Sequence, residues 1–244
     1  MRPGGMLRID HIMQYHRLFW IPDGMQGQDG VYVNYHAEEM YAILALESCR
    51  NQTIIVGEDL GMVPPEVRPL MDKHGIWRTF VGQYELVNEN NSANIPPHCI
   101  ATLNTHDMFP FAAFWEEKDI DQRLKLNLLK ATEVQNEIEL RRHSKRQLIS
   151  LMEYNHLADE MALDTQDALQ AILKYLAASP TQVLLINLED LWLETHPQNV
   201  PGTFRKQNWS GKARLSIEQL KLSPHVVQLL QEINKTRMGE SQTQ

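Results

Sequence analysis

The sequence is poor in cysteine and in long apolar runs, and each shortage excludes a class of protein. Its 244 residues include two cysteines, Cys49 and Cys99, which argues against a disulfide framework and favours a reducing compartment. No apolar stretch approaches the length of a membrane span. Residues 1–6 lack the apolar segment of a signal peptide. We therefore expect a cytoplasmic protein with no membrane partner.

The sequence also lacks a surplus of basic charge. Acidic residues outnumber basic ones by 31 to 23, for a formal net charge of -8. Proteins that bind nucleic acid usually show the opposite balance, so a nucleic-acid partner is not expected. The charge fits a neutral partner such as a sugar. The length allows one large domain or two small ones with a sizeable core.

Apolar and β-branched runs alternate with helical patterns, which predicts an α/β fold with a parallel sheet. We expect five strands, near residues 6, 54, 79, 101 and 185. The strand near residue 79 is predicted to span 77–86, and the strand near residue 185 to span 182–188. The other predicted segments are a long loop over 11–36 and helices over 38–49, 65–74 and 119–178, the last broken near 155–164. Two helix starts are also predicted, a capping box at Ser216 with Gln219 and an N-cap at Ser223-Pro224.

Three of the predicted strands end in a carboxylate: Asp10, Glu58 and Asp107. Sites in parallel α/β folds collect at the C-terminal ends of strands, so the three acids are candidates to converge in one cleft. Arg8 lies two residues before Asp10, and these positions share one face of a strand. An Arg beside the acid would favour its ionised form. His106 is a candidate donor to a sugar hydroxyl or an anion.

Carboxylates at strand ends suit the cleavage of glycosidic bonds. A retaining reaction needs an ionised carboxylate as nucleophile and a protonated carboxyl as acid and then base, about 5–5.5 Å apart. A third carboxylate can bind substrate hydroxyls and favour the distorted sugar ring. Five aromatic side chains near Asp10 offer apolar faces for sugar rings: Tyr15, Phe19, Trp20, Tyr32 and Tyr35.

Each of these features also has an ordinary structural interpretation. A single acid at a strand end is more often an N-cap or a loop residue, and aromatic side chains more often serve packing. A metal site is a further alternative, built from Asp10, His11, Glu58, His106 and Asp107. The sequence has no HxxxH or CxxC spacing to support it, so no metal is expected.

Three motifs around the acids resemble those of a single family. Arg8-Ile9-Asp10-His11 resembles the nucleophile motif of the amylomaltases, the 4-alpha-glucanotransferases of glycoside hydrolase family 77 in the alpha-amylase clan. Residues 56–61 resemble the acid/base motif of that family, and residues 103–107 its third-carboxylate motif. The order matches, and so does the spacing: 48 residues from Asp10 to Glu58 and 49 from Glu58 to Asp107.

Shorter matches extend this resemblance from residue 6 to at least residue 209. The matching segments are 20–24, 30–35 and 44–48 after the nucleophile, as in bacterial maltose-utilisation members, and 187–191, 199–203 and 208–209 near the end. The central helices, 119–178, match in general character only. Residues 108–111 depart from the usual pattern after the third carboxylate, which leaves the adjoining subsite contacts open.

The resemblance implies a catalytic role for each acid. Asp10 would be the nucleophile that forms a glucosyl-enzyme intermediate. Glu58 would protonate the leaving oxygen and then deprotonate the acceptor. Asp107 would stabilise the transition state through the ring hydroxyls. No metal or organic cofactor is needed for this chemistry.

The resemblance also implies residues that bind the substrate. Arg8 would orient the nucleophile, and His106 would bind the same sugar as the third carboxylate. Asn199, Pro201 and Gly202 are candidates to line the cleft. The implied substrates are malto-oligosaccharides and alpha-1,4-glucans, whose segments are moved to the 4-hydroxyl of another glucose.

The fold implied by the resemblance is a (β/α)8 TIM barrel. The chain begins at the strand that carries the nucleophile, the fourth, so we expect the C-terminal portion, about strands 4 to 8, with helical insertions. Residues 1–244 would form one partial catalytic domain that lacks the N-terminal part of the barrel. Because five strands cannot close an eight-stranded barrel, the missing N-terminal half is itself an expected partner.

Two alternatives to the transferase stay open. An alpha-glucan hydrolase of the same clan would use water in place of the sugar acceptor. A truncated, catalytically silent fragment would at most bind glucan.

Overall fold

The computed structural model describes residues 4–87, 94–157, 164–204 and 208–239. The chain divides into two compact units. The first comprises Met1–Phe80 and Pro96–Ile100, and the second comprises Val81–Ile95 and Ala101–Gln244. The single partial domain expected over residues 1–244 stays a prediction.

Strands and helices alternate in the described residues, as expected for an α/β fold. The strands are β1 (Met6–Ile9), β2 (Arg17–Trp20), β3 (Val31–Asn34), β4 (Ile54–Gly57), β5 (Arg78–Val81), β6 (Cys99–Thr102) and β7 (Val183–Leu185). The helices are α1 (Ala37–Asn51), α2 (Val67–Lys73), α3 (Gly82–Glu85), α4 (Phe111–Trp115), α5 (Lys118–Lys125), α6 (Val134–Tyr154), α7 (Thr165–Ala178), α8 (Ile217–Leu222) and α9 (Pro224–Arg237). Short 3-10 turns span Ile12–Tyr15, Gly27–Asp29, Ala131–Glu133 and Leu188–Trp192.

The five expected strands are all present, as β1, β4, β5, β6 and β7. Strands β1 and β4 pair in parallel, with Met6 opposite Ile54 and Ile9 opposite Gly57. Strands β5, β6 and β7 form a three-stranded sheet in that order. The parallel pair β1–β4 matters most for the site, because it sets two strand ends side by side.

Four predicted segments differ from the structure. The helical segment expected over 119–178 has a further break between Lys125 of α5 and Val134 of α6, and residues 158–163 of its expected break lie outside the described residues. The long loop expected over 11–36 contains an antiparallel hairpin, with Arg17 of β2 opposite Asn34 of β3. The strand expected over 77–86 ends at Val81, because the backbone turns into α3 and the N–H of Gln83 donates to the carbonyl of Leu103 at 2.9 Å. The strand expected over 182–188 is reduced to β7, since a 3-10 turn begins at Leu188.

The core of the first unit lies between the β1–β4 pair and the helices α1 and α2. Its buried side chains are Ile12, Met13, Tyr41, Ile55, Val67, Met71 and Ile76. Gly57 ends β4 against this core, and a Cβ there would lie 2.8 Å from Met71 Cε and 2.9 Å from Ile12 Cγ1. A glycine is therefore required for the close approach of this strand end to the core.

Helix α7 carries the core of the second unit. Its buried residues recur at helical spacing: Ala168, Leu169, Ala171, Ile172, Leu173, Leu176 and Ala177. The carboxylate of Asp164 caps its first turn, accepting from the N–H groups of Gln166 and Asp167 at 2.9 and 2.8 Å. The predicted capping box at Ser216 and Gln219 is confirmed at the start of α8. Within the described ranges, no helix is long and apolar enough to cross a membrane.

Candidate active site

Asp10 and Glu58 leave the same edge of the β1–β4 pair. Ile9 and Gly57 are the last paired residues of the two strands, and each acid is the next residue in the chain. The pairing continues past the strands, because the N–H of Glu58 donates to Ile9 O and the N–H of Ile12 donates to Glu58 O, both at 2.9 Å. Two of the three acids that the sequence singles out are therefore neighbours in the fold.

Asp10 is held by the arginine that precedes it on the strand. The Arg8 guanidinium lies 2.9 Å from Asp10 Oδ1, which confirms that the two side chains share one face of β1. The Asp10 side chain is nevertheless 79% exposed, so its second oxygen is open to a substrate. The carboxylate is therefore held on one side and otherwise exposed to solvent.

Glu58 is oriented by backbone donors on both sides. The N–H of His11 donates to Glu58 Oε2 at 2.9 Å, and the N–H of Leu60 donates to Oε1 at 2.6 Å. His11 adopts a left-handed backbone conformation, with φ at 45°, which is uncommon for a residue with a side chain. This conformation follows Asp10 directly, and unusual backbone of this kind clusters at functional sites. His11 belonged to the alternative metal set weighed for this sequence, and in the structure its backbone N–H orients Glu58.

Asp59, the residue after Glu58, anchors this strand end and was not predicted as a functional residue. Its carboxylate is fully buried. The Nε atoms of Arg68 and Arg78 both lie 2.8 Å from Asp59 Oδ2, and the N–H of Thr79 donates to Oδ1 at 3.1 Å. Because two guanidinium groups and a backbone amide converge on it, the backbone next to Glu58 is tightly fixed.

Asp107 lies in the second unit, in the loop between β6, which ends at Thr102, and α4, and not directly at a strand end as expected. The amide of Asn199 donates to Asp107 Oδ1 at 2.6 Å, and His106 Nε2 lies 3.3 Å from Oδ2. The rings of His106 and Trp209 lie 5.3 Å apart. Burial, and then the negative charge of Asp107, raises the pKa of Tyr84. The structure thus brings Asn199, which is 92 residues away in the chain, into contact with Asp107. It also places Tyr84 near Asp107 and Trp209 near His106, and the sequence identified neither as part of the site.

Pro201 and Gly202 have a structural explanation that does not require a substrate. The N–H of Thr203 donates to Val200 O at 3.3 Å, which closes a four-residue turn. Gly202 has φ at +77°, and proline followed by such a glycine is the usual sequence of a type II turn. The turn directly follows Asn199 and so fixes the chain next to it. The role of both residues in lining a cleft stays a prediction.

Four of the five candidate aromatic side chains are exposed on or beside the β2–β3 hairpin. The ring centroids of Phe19 and Tyr32 lie 5.1 Å apart in an edge-to-face arrangement. Trp20 Nε1 donates to the hydroxyl of Tyr35 at 2.9 Å. Tyr15 instead packs edge-on against the buried Tyr41. The packing interpretation therefore holds for Tyr15, and the other four stay candidates to stack on sugar rings.

The donors around the three acids are N–H groups of the protein. Asp10 faces a guanidinium, Glu58 faces two backbone amides, and Asp107 faces a side-chain amide. In the ranges that the structure describes, no group of three or more His, Cys, Asp and Glu side chains is arranged to hold a metal ion. The geometry of each acid is thus set by hydrogen-bond donors.

Comparisons with known proteins agree on one family. A family model described as 4-alpha-glucanotransferase, glycoside hydrolase family 77, matches residues 1–217. The 4-alpha-glucanotransferase of Haemophilus influenzae is 35% identical over 218 residues, which cover 85% of this chain and 31% of that protein. The 4-alpha-glucanotransferase of Mycobacterium tuberculosis is 34% identical over 218 residues, with 86% and 30% covered. The chain spans about a third of the length of these relatives.

Solved structures share the fold. The amylomaltase of Corynebacterium glutamicum superposes with a TM-score of 0.82 at 23% identity, covering 96% of this chain and 35% of that one. An amylomaltase of Streptococcus agalactiae, solved in complex with acarbose, gives a TM-score of 0.70 at 20% identity, with 96% and 41% covered. Since the family model matches well over half of the residues, the chain belongs to the 4-alpha-glucanotransferase family, glycoside hydrolase family 77.

Proposed function

We propose that this chain carries the catalytic carboxylates of a 4-alpha-glucanotransferase that moves alpha-1,4-glucan segments between malto-oligosaccharides. The observation that carries the proposal is the parallel pairing of β1 and β4, which sets Asp10 and Glu58 on neighbouring strand ends. A nucleophile and an acid that act on one bond must lie side by side, so this arrangement suits a retaining mechanism. Membership of the family supports the choice of alpha-glucan as substrate.

In the first step, a carboxylate oxygen of Asp10 attacks the anomeric carbon of the donor glucan. The bond from that carbon to the glycosidic oxygen breaks, and the leaving oxygen takes a proton from the Glu58 carboxyl. The products are a glucosyl ester on Asp10 and a shortened glucan. Arg8 supports this step because it fixes one oxygen of Asp10 and leaves the other open.

In the second step, the 4-hydroxyl of an acceptor glucose attacks the same carbon. Glu58, now ionised, takes the proton of that hydroxyl, and the ester bond to Asp10 breaks. The anomeric centre is inverted twice, so the alpha configuration is retained. Both carboxyl groups return to their starting protonation states, and no cofactor is consumed.

We assign Asp107 to the sugar hydroxyls whose hydrogen bonds strengthen in the transition state. Two polar side chains beside the carboxylate support this role: Asn199 donates a hydrogen bond to it, and His106 lies next to it. The exposed rings of Trp20 and Tyr32 are proposed to stack on further glucose units.

We further propose that the α/β fold of this chain corresponds to about strands 4 to 8 of a (β/α)8 barrel. The amylomaltase superposition over 96% of the chain supports this assignment. We also propose a cytoplasmic location. The low cysteine content of the sequence supports this location, because it fits a reducing compartment.

The test of the proposal is incubation of the protein with maltotriose and separation of the products by chain length. Transfer yields glucose together with oligosaccharides longer than maltotriose. Asp10→Asn should lower the rate at least about 1,000-fold, because the nucleophile is lost. Asp72→Asn makes the same change of charge at an exposed position on α2 and should leave the rate unchanged.

Two product patterns would contradict the proposal. Maltose and glucose without longer products would identify a hydrolase, in which water is the acceptor. Unchanged maltotriose, with a cooperatively folded protein, would identify the catalytically silent fragment. Transfer that survives in Asp10→Asn would remove the assigned nucleophile.

A further inference from the structure

The segment that carries Asp107 is held at both ends by a single buried carboxylate. We call residues 104–111 the Asp107 loop. Asn104, at its start, donates from Nδ2 to Asp190 Oδ2 at 2.9 Å. Phe111, at its end, donates from its backbone N–H to Asp190 Oδ1 at 2.9 Å. Asp190 is thus linked to both ends of the loop, although it lies 79 residues or more from them in the chain.

Two further side chains complete this attachment. Asn187 donates from Nδ2 to the backbone carbonyl of Asn104 at 2.9 Å and also contacts its side-chain oxygen. Gln83 accepts the second N–H of the Asn104 amide at 3.0 Å and donates a longer bond to Phe109 O at 3.5 Å. The Asn104 amide therefore uses both of its N–H groups within the network.

The chemistry of the network requires a carboxylate at position 190. Two N–H donors converge on the two oxygens of the side chain, and only an ionised Asp or Glu offers acceptors on both sides. An asparagine would turn its own NH2 group toward one of the donors. Asp190 is 2% exposed, and among the described residues its hydrogen-bond donors are neutral. Burying a charge without a cationic partner is costly, so a purely structural role would favour a neutral side chain.

We propose that Asp190 is a positioning residue that holds the Asp107 loop in the conformation that presents Asp107 to the substrate. The proposal rests on the proposed function, because it assigns Asp190 to the same reaction. Asp190 does not touch the sugar. It acts through Asn104 and Phe111, which lie three residues before and four residues after Asp107.

The test compares the unaltered chain with three variants. Asp190→Asn removes one acceptor and places a donor against a donor. The double variant Asn104→Asp with Asp190→Asn exchanges the two side chains, so the bond between them is restored with its direction reversed and Phe111 keeps an acceptor. The exchange leaves Gln83 without its donor, so the rescue is partial. Glu189→Gln is the matched control, because it removes a neighbouring negative charge and retains an acceptor for Gln198.

Two measurements separate positioning from general stability. The first is the rate of maltotriose transfer, resolved into kcat and KM. The second is amide hydrogen exchange of residues 104–111, with helix α7 as an internal reference for the folding of the same unit. Asp190→Asn should lower kcat on the order of tenfold or more, because a small displacement of a catalytic group has effects of that size. In the same variant KM should change much less, and amide exchange should accelerate in the Asp107 loop but not in α7. The double variant should recover part of kcat. Glu189→Gln should match the unaltered chain in both measurements.

The results that would overturn the proposal differ from those that would overturn the function. Unaltered exchange of residues 104–111 in Asp190→Asn would show that Asp190 does not hold the loop. Equal acceleration in the loop and in α7, or a loss of kcat that the double variant does not recover at all, would reduce Asp190 to a folding residue. If the unaltered chain transfers no glucan, the proposed function fails, and the exchange data still decide whether Asp190 holds the loop.

Discussion

Acidification should stabilise the second unit through Asp190, which is the reverse of the usual behaviour of an aspartate. Burial raises the pKa of Asp190 from 3.8 to about 6, against the opposing effect of its hydrogen bonds from Phe111 and Asn104. The neighbouring charge of Glu189 adds to the rise. The folded protein therefore binds this proton more tightly than the unfolded chain does.

The sign and the size of the effect follow from proton linkage. Between pH 3.8 and about 6 the folded state carries one more proton at Asp190 than the unfolded state. The free energy of unfolding consequently falls as the pH rises through this window and is unaffected by Asp190 outside it. A difference of about 2 between the two pKa values corresponds to roughly 3 kcal/mol.

The assay is urea unfolding of the unaltered chain and of Asp190→Asn at several values between about pH 7 and about pH 4. Other groups titrate in both proteins, so the difference in unfolding free energy isolates Asp190. This difference should rise by more than about 2 kcal/mol in favour of the unaltered chain on acidification to about pH 4, where most of the full effect is present. Glu189→Gln should keep most of the rise. A difference that stays flat, or that falls on acidification, would refute the raised pKa and the burial that explains it.

Three further predictions concern local packing and charge, each measured as a change in unfolding free energy. Asp59→Asn should destabilise the chain by about 3 kcal/mol or more, because two guanidinium groups lose their buried partner; a loss below about 1 kcal/mol would contradict this. Gly57→Ala should cost about 1–3 kcal/mol, because its Cβ would lie 2.8 Å from Met71 Cε. An unchanged stability would show that the core side chains can move aside without cost. Ser216→Ala should cost about 1 kcal/mol by removing the cap of α8, while loss of the reciprocal bond in Gln219→Ala should cost less.

The strands that lead to the site could be predicted because their sequences carry a strong local signal. The run Thr53–Val56 is apolar and β-branched, and it forms β4 as expected. The positions of Asp10 and Glu58 at strand ends follow from such runs alone. Their shared edge also follows, since parallel strands present their C-terminal ends on one side.

The hairpin and α3 could not be predicted in the same way. The residues of β2 and β3 are largely exposed, so they lack the alternation of apolar and polar residues that marks a half-buried strand. Helix α3 interrupts the segment that was expected to be one strand over 77–86, because the N–H of Gln83 donates to the carbonyl of Leu103, which is distant in sequence. In both places the deciding interactions are absent from the local pattern.

The contacts of Asp190 could not be predicted from the local sequence either. Residues 187–191 could be matched to a family segment, but the match carries no information about what Asp190 contacts. Its function depends on two donors at the ends of a loop in another part of the chain, and only the fold identifies them.

The charge of Asp190 is costly to bury, but the same charge lets the side chain accept two hydrogen bonds. These two effects oppose each other, and the second explains a carboxylate at this position. Burial opposes its charge and raises the pKa of Asp190 to about 6, so ionisation at neutral pH costs more in the folded protein than in the unfolded chain. Its ionised form alone accepts from both ends of the Asp107 loop. If stability governed this position, Asp190→Asn would be neutral or beneficial in every assay. If presentation of Asp107 governs it, the variant will keep much of its stability and lose turnover, and the two quantities will separate in a single substitution.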